Sequence, residues 1–86
     1  MNQIQPIPKY ILKFVAIKDN KPVEFNFTFT IPSVQQPPVP GDEIQLPEKI
    51  TSVAGFTKTV FKIQSRRFLF DSLEPGIAGI IYLSVA

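Results

Sequence analysis

Apolar and polar residues alternate without a break from Val23 to Ile31, with Val23, Phe25, Phe27, Phe29 and Ile31 on one parity and Glu24, Asn26, Thr28 and Thr30 on the other. A period of two held this long has no helical explanation and predicts a strand with one buried face. On that parity Phe25, Phe27 and Phe29 enter a single core. Residues 10–17 (Tyr-Ile-Leu-Lys-Phe-Val-Ala-Ile) read as an earlier strand with apolar side chains on both faces. The intervening residues 18–22 supply Asp19, Asn20 and Pro22, which predicts an antiparallel hairpin with a loop of about five residues. Residues 77–85 form the last strand. Ile77, Gly79, Ile81, Leu83 and Val85 lie on one face, with Ala78, Ile80, Tyr82 and Ser84 on the other.

The middle of the chain is less regular. Residues 32–41 hold four prolines and two glutamines, which excludes helix and central strand and predicts a stiff, extended crossover on the surface. A proline-rich ligand for an SH3 or WW module is the functional alternative, but Pro37-x-x-Pro40 lacks a basic flank. Gly41-Asp42 supplies a tight turn into a short third strand marked by Ile44 and Leu46. Residues 50–56 suggest a loop that drops Ile50, Val53 or Phe56 into the core. Residues 57–70 read as a long fourth strand whose parity slips, because Phe61 and Ile63 share one face and Phe68 and Phe70 the other. One inserted residue within 64–67 reconciles them, so a β-bulge is expected there. Residues 71–76 form a turn.

Five strands and no helical pattern of about ten residues or more give an all-β class, with residues 1–86 as one domain, residues 1–9 as an N-terminal arm and residues 32–41 as the crossover. A small twisted sheet hides its edges by curling on itself. The spacing Pro38-x-x-Gly41-Asp42-x-Ile44-x-Leu46, followed by Val60-Phe61-x-Ile63-x-x-Arg66, resembles a pattern in small bacterial and phage-associated proteins with SH3-like barrels. The resemblance implies a small five-stranded, SH3-like or related partly open β-barrel, and it implies architecture rather than activity. Residues 47–56 depart from the pattern, since a short hairpin is expected there.

Composition narrows the chemistry. The chain has no Cys and no His, so soft-metal ligands, a thiol nucleophile and a side chain titrating near neutrality are missing. Of the seven acids only Asp42 and Glu43 are adjacent, and adjacent residues on an extended chain face opposite ways. The four glycines are scattered, which gives no phosphate-binding loop. Thr57 and Thr59 beside Lys58, and Ser65 beside Arg66, have no recognisable base partner. The expectation is a non-enzymatic protein without cofactor or metal. No basic start followed by an apolar run opens the chain, and residues 75–86 are too short to span a bilayer, which points to a cytoplasmic protein with no membrane partner.

Two surfaces remain as candidates. The first and fifth strands carry apolar residues on both faces, more than one small interior accommodates. If the core takes the opposite parity, Ile11, Val15, Ile17, Ile80 and Tyr82 form an outer patch suited to self-association as a homodimer or to a larger assembly. That is the leading expectation. The alternative is nucleic-acid binding. Lys58, Lys62 and Arg66 recur every four residues, about 13 Å per step on a strand, with Arg67 just beyond. A net charge of +2 is weak for that role.

Overall fold

The computed structural model describes residues 7–70 and 74–86. Five strands and one short helix follow in the order β1 (Lys9–Lys18), β2 (Lys21–Pro32), β3 (Glu43–Gln45), α1 (Glu48–Val53), β4 (Val60–Leu69) and β5 (Ile77–Val85). They form one sheet in the order β2-β1-β5-β4-β3, curled into a half-barrel. β1 pairs with β5 in parallel, and the other neighbours are antiparallel. The two strands with apolar residues on both faces therefore lie side by side in the middle of the sheet. The alternating strand, β2, is an edge.

The β1–β2 hairpin is tighter than the sequence suggests. Lys18 pairs with Lys21, so the loop is Asp19-Asn20 alone, and both residues have positive φ, 52° and 63°. Asp and Asn tolerate this left-handed backbone, whose twist matches that of the flanking strands. Two steps along β1, from Lys13 to Val15, are matched by four along β2, from Thr28 to Glu24. The surplus is even, so the alternation of β2 survives the irregularity and Phe25, Phe27 and Phe29 keep one parity. Their burial is nevertheless graded: Phe25 is buried, Phe27 half-buried, and Phe29 is 53% exposed.

In β4, Ile63 pairs with Val85 and Ser65 with Ser84, which leaves Gln64 as the extra residue of a bulge within the expected stretch. Phe61 and Ile63 point inward before it, and Phe68 packs against the core after it. β4 begins at Val60 rather than Thr57. The core is Leu12, Phe14 and Ala16 from β1, Ile81, Leu83 and Val85 from β5, and Phe25, Ile31, Leu46, Phe61 and Ile63. Gly79 is buried at a close approach that needs glycine, since a Cβ there would stand 2.7 Å from the Leu69 carbonyl oxygen.

Residues 50–56, expected as a loop, contain most of α1. The helix is too short to show an apolar period, and its end is set by Gly55 at φ 91°. Gly55 N–H donates to the Ser52 carbonyl and Phe56 N–H to the Thr51 carbonyl, both at 2.9 Å. This paired closure needs a left-handed residue after the helix, the conformation glycine adopts most easily. It delivers Phe56 onto Phe25 and Phe61, with ring centroids 5.4 and 5.5 Å apart. The crossover after β2 runs to the opposite sheet edge. There Gly41 N–H donates to the Ile63 carbonyl, and Ile63 N–H to the Asp42 carbonyl. The expected turn at 71–76 lies partly outside the described residues, as does the arm before Ile7.

Candidate functional site

Phenylalanine is distributed over the concave side in three groups. Phe25, Phe56 and Phe61 close the end beside α1. At the other end, Phe68 lies 6.0 Å from the Tyr10 ring and 5.7 Å from Phe70. Between them Phe14, Phe27 and Phe29 stack in steps, with centroids 6.3 and 6.5 Å apart and 28° between successive planes. The group beside α1 is closed by the chain itself. At the far end Phe70 is 63% exposed, and the middle group is open.

The opening is a groove of about 680 Å³, within the range of small-molecule and peptide pockets. Leu12, Phe14, Phe27, Phe29 and Ile31 form one wall, and residues 35–39 with Ile44, Leu46 and Pro47 form the other. It exists because the half-barrel is not closed: β2 and β3 are the two ends of the sheet, and residues 35–39 of the proline-rich crossover bridge the gap without pairing to either strand. Among the described residues Asp42 is the one ionisable member of the lining. Its Oδ2 accepts the Val39 N–H at 3.0 Å, which holds the crossover's last turn. Apart from Pro37, weighed as part of the Pro37-x-x-Pro40 ligand motif, none of the groove residues stands among the candidates drawn from the sequence. The available signal was the absence of any charge from Phe25 to Gly41, a stretch that supplies Phe27, Phe29 and Ile31 of one wall and residues 35–39 of the other.

The outer patch is assembled in part. Ile11 is the direct neighbour of Ile80, and Ile80 of Leu69, which makes one apolar row across three strands. All three are half-buried, as are Val15 and Tyr82, whereas Ile17 is 65% exposed. The next row interrupts the patch. Lys13, Tyr82 and Arg67 are neighbours in register, with Lys13 Nζ 5.9 Å and the Arg67 guanidinium 4.5 Å from the Tyr82 ring centroid. Lys13 also reaches Glu24, Nζ to Oε1 at 3.9 Å. Val15 lies beyond this row, beside Ser84.

The bulge at Gln64 divides the cations. Arg66 pairs with Leu83 on the inner face, where its guanidinium lies 5.3 Å from the Phe68 ring, whereas Arg67 pairs with Tyr82 on the outer face. Lys62 stands opposite Glu43 on β3. Lys58 precedes β4 and places Nζ 4.9 Å from the Phe61 ring. The even spacing in the sequence therefore does not produce one continuous basic stripe.

Among the described residues no group of three or more His, Cys, Asp or Glu is placed to hold a metal ion, and no helix is long and apolar enough to cross a membrane. No family model, curated protein or solved structure matches the chain.

Proposed function

We propose that the protein is a non-enzymatic interaction and assembly module, an accessory chain that holds a partner in the groove of its half-barrel. The observation that carries this reading is Phe29, a ring 53% exposed beside Phe27 at the mouth of an apolar groove about 680 Å³ in volume. Covering such surface is favoured by roughly 25 cal/mol per Å² before the cost of association is subtracted. A single engaged carboxylate in the lining supports binding over catalysis, since general acid–base or nucleophilic chemistry needs convergent reactive groups.

A photoreactive benzoylphenylalanine in place of Phe29 tests this in the cells that make the protein. The expected result is a discrete crosslinked adduct, absent when the same residue replaces Ser84 on the convex face. Adducts from position 84 and none from position 29 would move the working surface to the other side of the sheet.

A second reading, self-association through the convex face, is favoured by the exposure of Ile17 and the continuous row Ile11, Ile80 and Leu69. Nucleic-acid binding by Lys58, Lys62, Arg66 and Arg67 has less behind it, because Arg66 and Arg67 face opposite ways.

A further inference from the structure

The wall of the groove formed by β2 carries backbone as well as side chains. Ser33 N–H donates to the Pro8 carbonyl at 2.8 Å, which makes residues 8 and 33 a hydrogen-bonded antiparallel pair. Bonded and non-bonded pairs alternate along such a ladder. In the register of β1 and β2, Tyr10–Ile31 and Leu12–Phe29 are then bonded pairs, and Ile11–Thr30 and Lys13–Thr28 are not. Thr28 and Thr30 therefore turn N–H and C=O away from β1. β2 ends the sheet, and no described strand pairs with its far edge. Those peptide groups face the seam of the half-barrel.

The opposite wall does not pair with them, and Pro37 and Pro38 have no N–H to offer their carbonyls. Charge limits what enters. Asp42 already accepts a hydrogen bond from Val39, and the rest of the lining among the described residues is apolar or amide, Gln35, Gln36 and Gln45 included. A charged side chain would exchange its hydration there for a largely apolar wall, three amides and one carboxylate that is already engaged.

Resting on the reading of the groove as the working surface, we propose that its occupant is an uncharged, extended apolar segment of a partner protein, added to the sheet as a strand against β2. Its peptide groups pair with Thr28 and Thr30. Alternate side chains lie on Phe27 and Phe29, where strand addition places them.

The probe is a synthetic, end-capped peptide of about seven residues alternating Val and Thr, the length of an ordinary strand. It is titrated into the isotope-labelled full chain, followed by amide resonances and hydrogen exchange. Two further peptides carry N-methyl groups on every second residue, one in each phase, and a free fatty acid serves as a small apolar competitor. The expected result is perturbation and slowed exchange at Thr28 and Thr30. One methylated phase binds about tenfold more weakly, the effect of losing one or two hydrogen bonds, and the other phase binds as the parent does. Equal binding by both phases would overturn strand addition while leaving the groove reading in place. A groove that takes the fatty acid and refuses every peptide would overturn it in favour of a small ligand. No change at the groove with any probe would overturn both.

Discussion

Phe25 and Phe29 occupy the same parity of one strand, yet they belong to different environments. Phe25 is 2% exposed and packed between Phe56 and Phe61, while Phe29 is 53% exposed at the mouth of the groove. Truncating a buried ring removes its transfer free energy and leaves a cavity, so Phe25→Ala is expected to cost about 3–5 kcal/mol. Phe29→Ala is expected to cost less than about 1 kcal/mol, the range of exposed sites. Paired urea titrations check both, and equal losses would mean that the groove is closed in solution. The alternation of β2 made the shared face legible in the sequence. It could not show how far along that face the cover extends, because the cover is Phe56, brought by a helix turn some thirty residues away.

At the scale of elements, parity proved more legible than length. Phe61 and Ile63 set against Phe68 and Phe70 could share a core only through an odd insertion, and Gln64 is that residue. The same insertion hides its effect on the cations, since spacing counted along the sequence assumes an unbroken pleat. Deleting Gln64 tests this, because it brings Ser65 directly after Ile63 and leaves a regular ladder in which Arg67 still faces outward and Phe68 inward. The expected outcome, followed by circular dichroism, is cooperative thermal unfolding of the deletion variant, with Gln64→Ala melting within a few degrees of the parent, as exposed substitutions do. Loss of cooperative unfolding on deletion would show that Gln64 is not a dispensable extra residue and that the facing of Phe68 depends on it. The hairpin loop and α1 were less legible for a related reason. Asp19-Asn20 is a two-residue turn in which Pro22 and Lys21 already belong to the strand, and a six-residue helix carries too few turns to show a period. Gly55 was the available mark of the helix end.

At the scale of the whole molecule, the parallel pairing of β1 with β5 joins the two ends of the chain and places both two-faced strands at the centre of the sheet. No local pattern encodes this, since parallel partners need a long connection and the register is set by packing. Its consequence is a convex face on which the apolar row Ile11, Ile80 and Leu69 runs beside the cationic row Lys13, Tyr82 and Arg67. Two identical copies packed face to face about a two-fold axis along the strands bring the same rows together. Burial of the apolar row favours the pair, and the facing lysines and arginines oppose it. Salt screens the second effect over about 8–10 Å at physiological strength and over about 3 Å near 1 M, while leaving apolar burial in force. Self-association through this face is therefore expected to strengthen as salt rises, the reverse of an interface held by opposite charges. Light scattering at high micromolar protein across a salt series reads the mass directly. Ile17→Ser removes exposed apolar surface without adding charge, and it should lower the mass toward that of one chain while the unfolding midpoint stays in place. A single-chain mass at every salt concentration would sink self-association through this face and leave the groove as the working surface.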